Sequence, residues 1–399
     1  MATTNRARLA VDGGTPVRST FLPYAHQQVS EDDVAQVAAV LRSDWLTTGP
    51  QIPALEEALA AATGARHAVA FSSGTAALHG AAVAAGLAPG DEAITTPMTF
   101  AATANAVLYA GAEPRFGDVL PGSLLIDPDR VAEAVTKHTR ALLPVDYCGQ
   151  PADYERLRAI ADAAPGGPLT IIADAAHSLG ATRGGRRVGT LADLTVLSLH
   201  PAKIITTGEG GAVLTNDDDR AQRLRRFRNH GIATELAARK DWTYAMVELG
   251  YNYRLTDIGA ALGIAQLSHI DTFLARRRRL AARYLERLGD DGYLDVPTLD
   301  PGADPAWHFM FVQLRLDRLR VDRGAVYHAL RAEGIGVNVH YIPVHQHPYY
   351  RDRYPRLSFP VADAAYERLL TLPLHAGMTD ADVDDVVVAL SKVTSAYSA

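Results

Sequence analysis

The sequence predicts an α/β protein: a large domain on a mostly parallel sheet flanked by helices, followed by a smaller C-terminal α+β domain. Two observations lead to this prediction. Between His67 and Asn216, short β-branched runs alternate with Ala- and Leu-rich helical stretches, which is the pattern of βα units. The chain of 399 residues, 48% of them hydrophobic, is also long enough for two or three domains' worth of core.

The strands of the large domain are predicted from short apolar segments, because strands covered on both faces tend to be apolar throughout. These segments are His67–Phe71, Glu92–Thr96, Arg140–Tyr147, Leu169–Asp174, Leu194–Leu199 and Gly211–Thr215. Helical candidates fall between most of them.

A long helical stretch, Leu255–Leu288, follows the predicted sheet. One of its faces carries the apolar side chains of Leu280, Tyr284 and Leu288, so we expect it to lead from the large domain into the smaller one. The boundary is placed near Asp271. The predicted division is an N-terminal segment at 1–30, a large domain at 31–270 and a small domain at 271–399.

The small domain is predicted to be α+β. Its expected strands are Ala306–Leu316 and Gly336–Tyr341, and its expected helices are Arg323–Glu333 and Asp380–Ser395. The run Arg276–Arg279, inside the long helical stretch, is interpreted as a solvated helix face.

Charge and cysteine content limit the possible partners. The formal charge of −6 provides no positive field for nucleic acid or an anionic membrane, so small molecules or another copy of the chain are the expected partners. The single cysteine, Cys148, excludes an internal disulfide and a thiolate metal cluster. No secretory signal or long apolar run is evident, so a cytoplasmic protein is expected.

The most informative residues follow two neighbouring predicted strands. Asp174 begins the segment Asp174–His177, and Lys203 closes the segment Ser198–Lys203. Since the carboxyl ends of parallel strands converge on one crevice, the acid and the lysine can face one ligand. Pyridoxal phosphate (PLP) needs this pair: the lysine forms a Schiff base, and the carboxylate keeps the pyridine nitrogen protonated. The sequence therefore predicts a PLP site with Lys203 and Asp174 as catalytic residues.

A phosphate site should accompany this pair. Gly74 and Thr75 lie between a strand and an Ala-rich helix, where free amides and the helix dipole favour an anion. Ser198 could add a hydroxyl, Phe100 could stack on the cofactor ring, and His177 could contact the ring oxygen.

Each signal also has a simpler interpretation. An Asp-Ala-Ala sequence occurs by chance, a lysine after a strand is usually solvated, and a Ser-Gly-Thr turn can be only a helix N-cap. Phe100 taken alone could be a core residue. The order and spacing of the signals together favour the cofactor site.

The ordered motifs resemble those of the DegT/DnrJ/StrS-type nucleotide-sugar aminotransferases, a branch of the fold-type I PLP enzymes. The resemblance covers nearly the whole chain. It is carried by Gly13–Arg18, Trp45–Pro50, Ser72–Ala76, Asp174–His177, Ser198–Lys203 with Gly208–Gly211, Asn229–Gly231 and Gly250–Arg254.

This resemblance implies specific roles. The Schiff-base lysine is Lys203, the pyridine partner Asp174, the ring-oxygen contact His177, and the phosphate ligands Thr75 and Ser198. Asn252 would reach the phosphate of the neighbouring subunit, so the resemblance implies a homodimer with shared active sites.

Within the family, the segments Ser198–Gly211 and Asn338–His345 are similar to those of the pseudaminic acid pathway transaminase, which aminates C4 of a UDP-linked 4-keto-6-deoxy-N-acetylhexosamine. The resemblance thus implies ping-pong transfer from an amino acid, L-glutamate by family likeness, to a nucleotide-linked keto sugar. Leu199 stands where many relatives have Phe, and Gln346-His347 follows His345, so the exact sugar stays open.

His340, Tyr341 and His345 are the expected substrate-binding residues, and His340, His345 and His347 are expected to line the sugar pocket or the subunit interface. A metal site of His340, His345 and His347 is the alternative, but no cysteine lies nearby and the family pattern has no metal, so none is expected.

The fold alone is compatible with other functions. Relatives that dehydrate sugars have histidine where this chain has Lys203. A non-catalytic or DNA-binding role fits neither the retained Asp174 and Lys203 pair nor the acidic balance. An aminotransferase acting on a keto-cyclitol or related antibiotic precursor stays open, because substrate specificity resides in loops and side-chain contacts.

Overall fold

The structure is a computed structural model that describes residues 8–233 and 241–399. Its strands are β1 His67–Phe71, β2 Glu92–Thr95, β3 Glu113–Phe116, β4 Thr139–Leu143, β5 Thr170–Asp174, β6 Thr182–Arg183, β7 Arg186–Arg187, β8 Leu194–Ser198, β9 Gly211–Thr215, β10 Leu294–Asp295, β11 Ala303–Asp304, β12 Met310–Leu314 and β13 Leu369–Leu372. Its α-helices are α1 Glu31–Leu41, α2 Gln51–Thr63, α3 Gly74–Ala84, α4 Ala102–Tyr109, α5 Pro128–Ala134, α6 Tyr154–Asp162, α7 Asp218–Phe227, α8 Asp257–Ser268, α9 Ile270–Leu288, α10 Arg323–Ala332, α11 Pro348–Arg353, α12 Pro360–Arg368 and α13 Asp380–Ala396.

A seven-stranded sheet forms the centre of the fold, in the order β1-β9-β8-β5-β4-β2-β3. Strand β9 runs antiparallel to both of its neighbours, and the other pairs are parallel. The prediction of a mostly parallel sheet is therefore confirmed. All six predicted strands are present, while β3 was missed because its sequence, Glu-Pro-Arg-Phe, places a proline and charged residues on an edge strand.

One predicted strand, Arg140–Tyr147, is shorter in the structure and ends at Leu143. Pro144 follows, and a proline has no N–H to continue a ladder. The carbonyl of Pro144 still accepts the amide of Asp174 at 2.9 Å, so this part of the chain remains tied to the end of β5.

The predicted long helical stretch consists of two helices, α8 and α9, which meet at a bend of 60°. Leu280, Tyr284 and Leu288 are buried, as the apolar face predicted. Within the described residues, no single helix is long and apolar enough to cross a membrane, and only α8 and α9 taken together across their bend meet that length and composition. The predicted boundary near Asp271 falls on the second residue of α9, and the division into 1–30, 31–270 and 271–399 stays a prediction.

The arginine run Arg276–Arg279 lies in α9, and its interpretation as a solvated face is wrong for Arg277. Arg279 is mostly exposed and pairs with Asp380, but only 2% of Arg277 is exposed. The charge pattern alone did not distinguish them, because carbonyl groups contributed by distant segments surround Arg277.

The C-terminal region contains an antiparallel sheet of order β10-β12-β13, against which α10 and α12 lie. The predicted strand Ala306–Leu316 is shorter in the structure, where β12 spans only Met310–Leu314, because the chain turns at Trp307 with a positive φ. The predicted strand Gly336–Tyr341 is wrong, because only Asn338 forms a bridge, to Thr371 of β13. The amide of Gly336 instead donates to the carbonyl of Leu22, which draws this segment away from the sheet.

Candidate active site at the carboxyl ends of strands β5 and β8

Asp174 and Lys203 come together at the carboxyl edge of the sheet, as the sequence predicts. Asp174 is the last residue of β5, and it lies in register with Val196 of the parallel neighbour β8. Lys203 follows β8 in a turn in which its amide donates to the carbonyl of His200 at 2.8 Å. The hydroxyl of Thr206 donates to the carbonyl of Leu199 at 3.0 Å, which holds the same loop.

The buried environment shifts the pKa values of Asp174 and Lys203 in opposite directions. Burial raises the pKa of Asp174, although the hydroxyl of Thr103 donates to its Oδ2 at 2.7 Å and the amide of Ala176 donates to Oδ1 at 3.2 Å. Burial lowers the pKa of Lys203 to about 8, against the opposing influence of the Asp174 carboxylate. A larger share of the lysine is therefore neutral at pH 7 than for an exposed lysine.

His177 forms one wall of the site. It is 4% exposed, its ring stacks on that of His308 at 4.5 Å, and its Nε2 lies 3.0 Å from the hydroxyl of Tyr341. Burial holds the pKa of His177 well below its usual value, so the ring is neutral. Its Nδ1 is buried and has no hydrogen-bond partner among the described residues.

His340 and Tyr341 extend the same wall. The ring of His340 stacks on Phe309 at 4.9 Å, and its Nδ1 lies 2.9 Å from the hydroxyl of Thr371. Burial lowers the pKa of His340 to about 4, so this ring is neutral as well. Tyr24, from the N-terminal segment, lies 5.3 Å from His340 between ring centroids.

His345 is placed differently from His340 and Tyr341. Its Nε2 lies 2.9 Å from Oδ1 of Asp363, and its ring packs against Phe359. The contacts of His345 are therefore with α12 and the residue before it. Over residues 8–233 and 241–399, no group of three or more His, Cys, Asp or Glu side chains is arranged to hold a metal ion.

The predicted phosphate cradle is the start of α3. Ser73 caps the helix by accepting the amide of Ala76 at 3.1 Å, whereas the amides of Gly74 and Thr75 belong to the first turn, which has no intrahelical acceptor. A Cβ atom on Gly74 would lie 3.0 Å from Cβ of Ser198. Glycine therefore favours the close approach of the helix to the end of β8, where Ser198 lies, since any larger residue would have to displace Ser198.

Phe100 and Asn252 are the two predicted site residues that are exposed to solvent, and the part of the site next to them is its open side. Phe100 is 60% exposed, so it is not a core residue, and its ring lies 6.0 Å from that of Tyr341. Asn252 is also exposed. It stands between Tyr251 and Tyr253, whose rings stack on each other at 4.9 Å.

Sequence reasoning missed two residues of the site. Thr103 orients the Asp174 carboxylate and itself contacts Thr99, 2.8 Å away between hydroxyl oxygens. His308 supports His177. The i, i+4 spacing of Thr99, just before α4, and Thr103, inside it, was the only available signal for Thr103, and His308 had none apart from its place in an aromatic run.

A comparison with known protein families shows which family the chain belongs to. The profile of the DegT/DnrJ/EryC1/StrS aminotransferase family matches residues 27–391. The chain belongs to this family. SpsC of Bacillus subtilis, a spore coat polysaccharide biosynthesis protein, is 37% identical over 383 residues, which cover 94% of this chain and 98% of SpsC.

Two solved structures show how far the family fold extends. PseC of Helicobacter pylori, an aminotransferase involved in the biosynthesis of pseudoaminic acid, has a TM-score of 0.89 and 28% identity, with 95% of this chain and 100% of that chain covered. Spr1654 of Streptococcus pneumoniae in its PLP form has a TM-score of 0.87 and 28% identity, with 94% of this chain and 99% of that chain covered. The predicted fold-type I class and aminotransferase activity are thus confirmed.

The cofactor of this family is pyridoxal phosphate, and the residues of the site fit it. The unpaired, buried Nδ1 of His177 and the free first-turn amides of α3 are polar groups that a ligand would satisfy. Asp174 supplies a buried carboxylate, and Lys203 an amine with a lowered pKa. Together these groups match the ring, the phosphate and the carbonyl of the cofactor.

Proposed function

We propose that this enzyme moves an amino group from an amino acid, L-glutamate, to C4 of a nucleotide-linked keto sugar, by a ping-pong mechanism through Lys203. The observation that carries the proposal is the pairing of buried Asp174 with Lys203 at the ends of β5 and β8. The choice of a sugar as acceptor is supported by PseC and SpsC, whose names place them in pseudoaminic acid and spore coat polysaccharide biosynthesis.

When bound, pyridoxal phosphate supplies an electron sink for the carbanion formed at the reacting carbon. Asp174 would keep the ring nitrogen protonated, and the hydroxyl of Thr103 supports this role by stabilising the charged carboxylate. The amides of Gly74 and Thr75 and the hydroxyl of Ser198 would hold the phosphate. Phe100 would stack on the ring, and His177 would contact the ring oxygen.

Lys203 serves twice in this mechanism. Its lowered pKa of about 8 makes the neutral amine available to attach the cofactor near neutral pH. After the amino donor takes its place, the freed Nζ can remove the proton from the donor's α-carbon and return a proton in the second half of the cycle. The same amine then acts on the acceptor sugar, so donor and acceptor occupy one pocket in turn.

The acceptor pocket is proposed to involve His340 and Tyr341 beside His177. Because His177 and His340 are neutral, they can form hydrogen bonds to sugar hydroxyl or amide groups without adding charge to the site. His345 pairs with Asp363, so it would not contact the reacting carbon directly.

A second subunit is proposed to complete each site. Asn252 is exposed between two stacked tyrosines, and several large apolar side chains of the preceding segment are in water, with Trp242 88% and Leu249 77% exposed. Such surfaces mark protein interfaces. Asn252 would there reach the phosphate held by the partner. The expected cytoplasmic location and the absence of nucleic-acid and membrane partners stay predictions.

The test is the visible absorption spectrum of the PLP-loaded protein before and after L-glutamate is added. We expect the band of the lysine-bound cofactor to give way to that of pyridoxamine phosphate in the wild type, and Lys203→Ala to show no lysine-bound band while remaining a folded dimer. A bound cofactor that neither glutamate nor glutamine converts would refute the donor assignment. A panel of keto sugars and keto-cyclitols added to the amino form then identifies the acceptor.

A further inference from the structure

Arg277 is a buried cation that the proposed mechanism does not use. It lies inside α9, 2% exposed, and forms no ion pair with a carboxylate in the described part of the chain. Burial lowers its pKa to about 10, so it remains charged at neutral pH. Burying an arginine without an acidic partner is costly, so its acceptors indicate what the residue does.

Among the described residues, its hydrogen-bond acceptors are backbone carbonyls from three separate segments. Nη1 lies 2.9 Å from the carbonyl oxygens of His308 and Leu374 and 3.2 Å from that of Trp307. Nη2 lies 3.4 Å from the carbonyl oxygen of Lys203. One guanidinium thus connects the lysine loop to the segments that precede β12 and follow β13.

The segment at Trp307 needs such support. Its φ is 55°, in the left-handed region that residues with a side chain rarely adopt. The amide of His308 donates to the carbonyl of Cys148 at 3.0 Å, and both carbonyls at this turn face Arg277. The turn determines where the His308 ring lies, and that ring stacks on His177.

We propose that Arg277 is a positioning residue that fixes the backbone of Lys203 relative to the His308–His177 stack. Through it, the lysine and His177 keep one mutual geometry at the cofactor. This inference rests on the proposed function of Lys203 and His177. It assigns to one member of the Arg276–Arg279 run a role in the active site that its neighbour Arg279, exposed and paired with Asp380, does not share.

The experiment compares Arg277→Met, Arg277→Lys and the control Arg279→Met, which removes an arginine two residues away in the same helix. Each holoenzyme is measured for the pH dependence of the bound-cofactor absorption, for the rate of a single turnover with saturating L-glutamate, and for thermal unfolding. The first two measurements report the geometry at Lys203, whereas the third reports general stability.

We expect Arg277→Met to shift the pH midpoint of the bound-cofactor absorption and to slow the single turnover by about 100-fold, the effect of a small misplacement of reacting groups. Arg277→Lys should recover only part of this rate, because an ammonium group cannot bridge carbonyls as a planar guanidinium does. Arg279→Met should match the wild type in both measurements.

Three results would overturn the inference. Arg277→Met could unfold at a lower temperature while its pH midpoint and single-turnover rate match those of Arg279→Met, which would leave only a structural role. Arg277→Lys could match the wild type, which would show that charge alone suffices; this variant also decides the question if Arg277→Met does not fold. A wild type without a bound-cofactor band would instead remove the proposed function, and this inference with it.

Discussion

The two sides of the candidate site differ in the exposure of their side chains: the side around Asp174 is buried, and the side next to Asn252 is open to solvent. Around Asp174 the side chains are buried and bonded within the chain, with Asp174 5% and His177 4% exposed. In the segment before Asn252, large apolar side chains are exposed instead, with Trp242 88% and Met246 65% exposed. The groups proposed to do the covalent chemistry are thus assembled by folding of one chain, whereas we propose that the open side depends on association with another copy.

Mixing two inactive variants tests whether the open side is completed by a second subunit. The recovery of activity in the mixture is the largest effect that we expect. Lys203→Ala lacks the lysine, and Asn252→Ala lacks the group proposed to act on the partner's site. In a mixed dimer, one site would then combine an intact Lys203 with an intact Asn252 from the other subunit. After random reassociation of equal amounts, we expect about one quarter of the wild-type activity, measured as amino transfer from L-glutamate.

The reassociation itself is controlled by mixing each variant with itself, which should restore nothing. If Asn252 acted on the site of its own chain, both sites of the mixed dimer would carry a defect. A mixture that stays inactive, although native mass spectrometry shows mixed dimers, would therefore contradict the shared site.

The buried side is tested by Asp174→Asn, which keeps the shape of the side chain and removes its charge. We expect the rate of amino transfer to fall by about 1,000-fold, since loss of one preorganised charge at a reacting centre has effects of this order. Asp146→Asn is the matched control, because Asp146 is fully buried beside β5 and bonded to Ser178 and Tyr154. Equal losses of single-turnover rate in both variants would argue that Asp174 is only structural.

Thr103→Val removes the hydroxyl that donates to Asp174 with little change in volume. That bond lowers the pKa of Asp174, so its loss raises this pKa further, and the carboxylate becomes protonated at a higher pH. We expect a rate loss of about tenfold and an acidic limb of the pH–rate profile moved to higher pH. Thr99→Val, which removes only the hydroxyl that contacts Thr103, should move the limb less. An unchanged limb in Thr103→Val would contradict the role of this bond.

Much of the buried side could be predicted from the sequence, because its key residues are local to strand ends. Asp174 and Lys203 each follow a short apolar run, and the geometry of parallel strands brings such residues together without any further information. The helix start at Gly74 was predictable for the same reason, since a turn between a strand and an Ala-rich run has a local signature.

The supporting residues could not be predicted, because their positions depend on contacts between distant segments. His308 is 131 positions from His177 along the chain, and Arg277 bonds to carbonyls from three segments. A run of arginines on a helix has the same sequence pattern whether it faces water or distant carbonyl groups. The edge strand β3 was missed for a related reason, as its pairing with β2 compensates for a poor local pattern.

The smallest expected effect concerns the protonation of Lys203. It tests whether the buried side already excludes water from this lysine in the apoprotein. Burial lowers the pKa of Lys203 to about 8, and only its neutral amine can capture PLP covalently. The rate of capture by the apoprotein, followed by absorbance in stopped flow, should therefore rise with pH and level off above pH 8. The Asp174 carboxylate favours the charged lysine, so Asp174→Asn should move this midpoint to lower pH. A midpoint near the usual lysine value would mean that water reaches Lys203 in the apoprotein, and the contrast between a buried and an open side would then hold only for the loaded enzyme.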